Sequence, residues 1–199
     1  MFPHTHESTN SESLMDLPRV AFQGEPGAFS ELAISQHFPH GAVAVPSRTF
    51  NDALTILLSG SASFAVIPVE NAIAGPVHAA RAALDLVYDQ LTHVGETRVN
   101  IHLCLMAPAE ATLESLRVVR SHAMALAQSR YFFAQHPWLT AQVHEDTAGA
   151  ARDVALAGLS HVAAIASSAA ATRYNLAVLV EHVEDRPDNW TRFVVVSAR

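Results

Sequence analysis

From Arg19 onward the chain keeps a rhythm that leaves few folds open: short apolar runs alternate with amphipathic stretches in which Ala recurs at helical spacing. The runs at 19–23, 42–45, 64–69, 99–106, 118–121, 141–143, 162–166, 177–183 and 193–196 read as strands. Segments at about 27–38, 49–59, 76–89, 123–136, 147–158 and 168–175 read as helices. In 76–89, Val77, Ala80, Leu84, Val87 and Tyr88 recur at three- and four-residue steps, while His78, Arg81, Asp85 and Asp89 take the other face. Pro76 suits the first helical position there. This alternation predicts an α/β fold with largely parallel sheets covered on both faces. The long strand-like stretch 92–106 breaks the rhythm and predicts a passage from one lobe to another, with 177–197 returning to the first. The expected division is lobe 1 over 18–97 plus 177–199, and lobe 2 over 98–176. Residues 1–17, a segment rich in His, Ser, Glu and Thr, are expected to be a disordered tail.

Composition removes several kinds of chemistry. All 12 basic residues among the 199 are Arg, so no Schiff-base lysine, pyridoxal-phosphate lysine or P-loop lysine is available. The single Cys104 excludes a disulfide framework within the chain and any multi-thiolate zinc site. Twelve basic against 19 acidic residues give −7, so no overall positive field favours nucleic acid or a membrane surface as partner. The longest uncharged apolar stretches fall short of the roughly 20 residues a membrane helix needs. The first residues lack an apolar secretory core, so a cytoplasmic protein is expected. Twelve His residues show no H-E-x-x-H or comparable spacing, and no metal is expected.

The polar residues are more informative. Strand after strand ends in small polar groups just before a helix. Gln23-Gly24-Glu25 leads to Gly27-Ala28-Phe29-Ser30, and Pro68-Val69-Glu70-Asn71 leads to Gly75-Pro76. Ser121-His122, Asp146-Thr147-Ala148 and Ser167-Ser168 follow later strands. In open α/β sheets, ligands bind beyond the strand carboxyl ends, where helix N-termini favour carboxylate or phosphate. Taken singly, such residues are ordinary turns and caps; five in series point to a cleft for a small anion held mainly by neutral donors. Glu70 beside Asn71 reads equally as an acid/base or a cap. Arg192 reads as a bidentate carboxylate ligand or, more commonly for such a residue, as an ion-pair partner.

Taken in order, these segments resemble the catalytic domain of prephenate dehydratase across Arg19 to Val196. V-A-F-Q-G-E-P-G-A-F-S-E occupies 20–31, V-I-P-V-E-N 66–71 with Gly75 following, and G-E 95–96. Then come Ser121-His122 with Ala125-Leu126 and Gln128, D-T-A-G-A-A at 146–151, A-A-I-A-S at 163–167 and N-W-T-R-F at 189–193. The resemblance implies two α/β lobes like those of type II periplasmic binding proteins, with the active site in the interlobe cleft. It implies loss of the ring hydroxyl and ring carboxylate of prephenate, giving phenylpyruvate, carbon dioxide and water on the route to phenylalanine, with no cofactor. Thr191 of T-R-F is then the central catalytic residue, flanked by Arg192 and Phe193. Ser30, Glu70, Asn71, Ser121, His122, Asp146, Thr147, Ala148, Ser167 and Ser168 are the implied substrate contacts. A homodimer or homotetramer is expected.

Three departures qualify the resemblance. Ala72 stands where the family usually has Ser, and Met124 where it usually has Gln. A thioether hardly hydrogen-bonds, so a preference for arogenate, the amino-acid counterpart, is the first alternative. The chain also stops at Arg199, without the C-terminal ACT domain common in the family, so regulation by phenylalanine through such a domain is not expected. Prephenate decarboxylase is a second alternative, disfavoured by the intact T-R-F. A small-anion binding module of the same fold is the non-enzymatic one.

Overall fold

The computed structural model describes residues 17–199, so the tail expected over 1–17 lies, apart from Leu17, outside the described residues. The first half runs β1 (Arg19–Gln23), α1 (Phe29–His37), β2 (Val43–Ser47), α2 (Phe50–Leu58), β3 (Phe64–Asn71), β4 (Gly75–Pro76), α3 (His78–Leu86) and β5 (Leu91–Asn100). The second runs β6 (Cys104–Ala107), β7 (Val118–His122), α4 (Ala123–Ala127), α5 (Arg130–Gln135), β8 (Thr140–His144), α6 (Thr147–Ala157), β9 (Val162–Ala166), α7 (Ser168–Tyr174), β10 (Ala177–Val180) and β11 (Trp190–Ala198).

Two sheets result. One has the order β2-β1-β3-β11-β5, with β4 paired to β3, and the other the order β10-β6-β9-β7-β8. β1 lies parallel to β2 and β3, and β7 parallel to β8 and β9, whereas β11 and β6 run antiparallel to their neighbours. This is the two-lobed α/β architecture expected from the resemblance. Strand β9, Val-Ala-Ala-Ile-Ala, is buried along its whole length, as a central strand covered on both faces must be. Helix α2 starts with a capping box in which Thr49 and Asp52 satisfy each other's backbone N–H, and α6 ends at Gly158 with φ 62°.

Four elements differ from expectation. The stretch 92–106 is two strands in different sheets, and the chain passes between lobes at 101–103. Ile101 and Leu103 are buried there, so apolarity continues through the passage and hides it from a periodicity reading. Second, β10 pairs with β6 in the second sheet, so residues 177–180 belong to that lobe and the return lies at 181–189. Third, Pro76 does not open α3; Asn71↔Gly75 and Glu70↔Pro76 form a short antiparallel pairing first. The helix expected over 123–136 breaks at 128–129, where Ser129 Oγ bonds back to Ala125 O at 3.0 Å.

Candidate functional site

Between the lobes lies a cavity of about 820 Å³. Five helices meet it with their N-terminal ends: α1, α2 and α3 from one lobe, α4 and α6 from the other. Three of them carry side-chain caps. Thr49 Oγ1 accepts from Asp52 N, His122 Nδ1 from Met124 N, and Asp146 Oδ1 from Gly149 N. The other two, α1 and α3, follow Ala28 and Val77, which cannot cap. Among the described residues the backbone N–H groups of Phe29, Ser30, His78 and Ala79 therefore have no partner, and all four residues line the cavity. The cavity thus presents two helix ends without side-chain caps on one lobe, of which α1 also carries the Glu31 carboxylate in its first turn, bonded by the Gly27 N–H. Phe29, Phe50, Ile101, Leu103 and Phe193 give it apolar walls.

A chain of amides crosses from one lobe to the other at its edge. Asn71 Oδ1 accepts from Ile73 N at 3.1 Å and Ala74 N at 2.9 Å, which fixes the orientation of the amide. Asn71 Nδ2 then has three acceptors for its two hydrogens, one of which is shared: Asn189 Oδ1 at 2.9 Å, Trp190 O at 3.0 Å and Thr191 Oγ1 at 3.0 Å. Asn189 Nδ2 in turn donates to Gln128 Oε1 at 3.0 Å. Two consequences follow from donor–acceptor bookkeeping. An amide nitrogen can only donate, so Thr191 Oγ1 accepts and its own hydrogen is left for the cavity. Gln128 has its oxygen engaged, and its Nε2, buried at the cavity wall, has no partner among the described residues. A buried amide donor without a partner calls for an explanation.

Of the residues singled out from sequence, Ser30, Asn71, His122, Asp146, Thr147, Thr191 and Phe193 line this cavity. Six do not. Strand alternation places Arg192 opposite Thr191 and Phe193. There its guanidinium binds Glu70 Oε2 at 2.9 Å and Glu96 Oε1 at 2.9 Å, and these bonds favour its charged form. Arg192 is an ion-pair partner, and Glu70 is its carboxylate. Ser121 is fully buried and donates to Ile165 O within the second sheet. Ser167 Oγ donates to Gly27 O at 2.6 Å and caps α7 by accepting from Ala170 N, so it ties the lobes together. Ala148 is buried in the first turn of α6, and Ser168 is exposed at the start of α7.

Several residues of the cavity and of the amide chain at its edge were not among those expected. Gln128 and Asn189 both fall within the motif pieces of the sequence, yet only the fold gives them a role. Arg48 and Thr49 follow β2, a strand end of the same kind as the others, and the T-F-N-D capping box at 49–52 was its signal. Met124 lines the cavity, whereas Ala72 does not. At the Arg48 end the wall is acidic, with Glu145 and Asp146.

The sequence profile of prephenate dehydratase matches residues 20–199. The chain belongs to the prephenate dehydratase family. It is 35% identical over 194 residues to the chloroplastic arogenate dehydratase/prephenate dehydratase 2 of Arabidopsis thaliana, covering 97% of this chain and 50% of that protein. The prephenate dehydratase of Arthrobacter aurescens, solved in complex with L-Phe, superposes with a TM-score of 0.81 at 30% identity, over 91% of this chain and 60% of the other. A structure described as GqqA, a novel type of quorum quenching acylase, gives 0.82 at 36% identity, over 91% and 64%. The chain spans about half the length of the curated relatives it matches.

Proposed function

We propose that this member of the prephenate dehydratase family converts prephenate to phenylpyruvate, carbon dioxide and water. The observation that carries the reading is the Asn71–Thr191 hydrogen bond, which turns the Thr191 hydroxyl into a donor facing the cavity. In the reaction the bond between the ring and its carboxylate breaks, and its electron pair enters the ring. The ring C–O bond breaks on the opposite side, and hydroxide leaves with a proton as water. Aromatisation drives the step, so the protein has to hold the dianion and stabilise the departing oxygen. A Thr hydroxyl is a poor acid, so Thr191 acts as a placed donor; such donors are worth roughly 10²–10³ in rate. The two uncapped helix ends, at α1 and α3, match a substrate with two carboxylates. Gln128 Nε2 supplies a further neutral donor, and the apolar walls receive the ring and exclude water.

The test mixes purified protein with prephenate at neutral to mildly alkaline pH, where spontaneous acid decay is slow, and follows phenylpyruvate. Turnover that falls by about 10²–10³ in Thr191→Ala supports the reading. Absence of turnover with prephenate and arogenate alike overturns it.

A second reading, arogenate as substrate, is favoured by Glu145 and Asp146 on the cavity wall, since arogenate carries an ammonium group where prephenate has a ketone. The two kcat/KM values, compared in the wild type and in Glu145→Gln, separate the readings: the variant loses arogenate turnover selectively if that carboxylate meets the ammonium. A cytoplasmic location and a homodimer or homotetramer belong to the same proposal. Exposed apolar residues Leu86, Tyr88 and Val94 support assembly, and light scattering tests it.

A further inference from the structure

We infer that His102, His182 and Glu184 form a binding site for a divalent cation of the zinc class, placed where the two connecting segments pass between the lobes. His102 lies on the first crossing at 101–103, His182 and Glu184 on the return at 181–189. Val183 N–H donates to Leu103 O at 2.9 Å and Leu103 N–H to Glu184 Oε2 at 2.8 Å, so the backbone holds the two crossings side by side. None of the three residues lines the cavity, but Leu103, next to His102, does.

The geometry is close to what a metal requires. His102 Nδ1 and His182 Nδ1 lie 3.1 and 3.0 Å from the same oxygen, Glu184 Oε1. The three potential ligand atoms all fall within 4.8 Å of one another. In a tetrahedral zinc site with bonds of 2.0–2.2 Å, neighbouring ligand atoms are about 3.3 Å apart. A cation therefore enters with small rotations of the rings, and its fourth position is left to water. Two imidazoles and one carboxylate suit a borderline ion such as Zn²⁺; Ca²⁺ and Mg²⁺ prefer oxygen shells.

The carboxylate is held in place by the fold. The Glu184 side chain is only 2% exposed. Its Oε2 accepts the Leu103 N–H at 2.8 Å, as the second oxygen of a ligand carboxylate is commonly steadied, and this leaves Oε1 facing the two imidazoles. The His102 and His182 side chains are 47% and 62% exposed. Their protons can move to Nε2, next to water, freeing both Nδ1 lone pairs without burying a charge. His182 holds φ at 55°, an uncommon conformation for a residue other than glycine, and it does so at the position that aims its ring at Glu184. The spacing of His along the chain gives no sign of this set, because His102 and His182 are far apart in sequence and meet only through the crossing.

The experiment titrates the full chain with Zn²⁺ alone and compares His102→Ala, His182→Asn and Glu184→Gln. Asn tolerates positive φ, and Gln keeps the acceptor for Leu103 N–H, so these two variants spare the backbone. Calorimetry against a chromophoric chelator reads stoichiometry, and thermal unfolding with and without Zn²⁺ reads coupling to the fold. The expected result is loss of one equivalent, or weakening by about tenfold or more, in each variant that unfolds at the wild-type Tm without metal. The Zn²⁺-dependent rise in Tm disappears with it, and Ca²⁺ does not compete. Equal stoichiometry, affinity and Tm rise in wild type and folded variants overturns the site. Equal binding of Ca²⁺ overturns its zinc-class chemistry.

Discussion

Asn71 Nδ2 lies 3.0 Å from Thr191 Oγ1, and the same Asn71 side chain accepts the backbone N–H groups of Ile73 and Ala74. One amide therefore fixes both a turn and the direction of a hydroxyl proton. Asn71→Asp separates the two jobs. A carboxylate still accepts from Ile73 and Ala74, but it also accepts from Thr191, and the hydroxyl proton is drawn away from the cavity. The donations to Asn189 Oδ1 and Trp190 O are lost as well, so the expected outcome is a lowered Tm together with kcat lower by about 10²–10³ and a smaller change in KM below the unfolding transition, read from steady-state assays and thermal unfolding. Unchanged kcat in a folded N71D protein contradicts the donor role of Thr191.

Gln128 offers a complementary test from the other lobe. Gln128→Glu keeps the oxygen that accepts from Asn189 and replaces the unpartnered donor by an acceptor. Against a dianionic substrate that change is repulsive. Turnover at neutral pH is expected to fall by about 10² or more, with partial recovery as pH is lowered and the new carboxyl becomes protonated and can donate. A pH–rate profile parallel to that of the wild type would show that Gln128 is structural.

Gly27 sits where the lobes touch. Its φ is +90°, and a Cβ there would meet the Ala170 backbone at 2.7 Å, on α7 of the other lobe. Neither the backbone conformation nor the neighbour can absorb a methyl group. Gly27→Ala is expected to cost about 1–3 kcal/mol and to raise KM as the Ser167–Gly27 contact is pushed apart. Denaturant midpoints and substrate saturation curves check the two effects independently.

The same contact region carries an acid-sensitive pair. Arg152 bridges to Glu25 across the lobes at 2.6 Å and to Asp153 at 2.9 Å, and His144 Nε2 lies 3.1 Å from Asp153. Burial pushes the Asp153 carboxyl up, but His144 and Arg152 outweigh it and hold it below the ordinary value of about 3.9. A depressed carboxyl contributes stability that is complete above its unfolded value and is lost as pH falls through the folded one. Below pH roughly 4 the wild type should therefore lose stability faster than Asp153→Asn. Asp153 is partly exposed, so the difference is small, and urea midpoints taken across the acid range measure it.

What the sequence makes legible is local, and what it hides is pairwise. Helix starts at Asp146 and Ser167 are readable because a cap and its partner lie within three residues. Thr191 and Phe193 are readable as a motif, and strand alternation already separates Arg192 from them, though only Glu70 and Glu96 explain where it goes. Ser121 and Ser167 resemble ligand contacts in sequence because their true acceptors, Ile165 O and Gly27 O, belong to other strands and another lobe. Gln128 is hidden for the opposite reason: its significance is a missing partner, and only packing reveals one. The passage at 101–103 escapes because its residues are as apolar as the strands they join.

Two departures from the family pattern, Ala72 and Met124, look equivalent in sequence and differ in space. Met124 lines the cavity with 43% of its surface exposed, whereas Ala72 lies outside it, tied by its N–H to Trp190 O at 2.8 Å. Met124→Gln adds a donor and an acceptor facing the substrate without opening a hole in the core. If it gains one hydrogen bond in the transition state, worth about 0.5–1.5 kcal/mol, kcat/KM should rise roughly two- to tenfold. Ala72→Ser adds a hydroxyl outside the cavity and should leave kcat/KM unchanged. The pair is measured on prephenate and arogenate side by side. A rise with only one of them identifies which substrate reaches residue 124, and a rise in Ala72→Ser instead would mean that the substrate extends beyond the cavity described by Thr191 and Gln128.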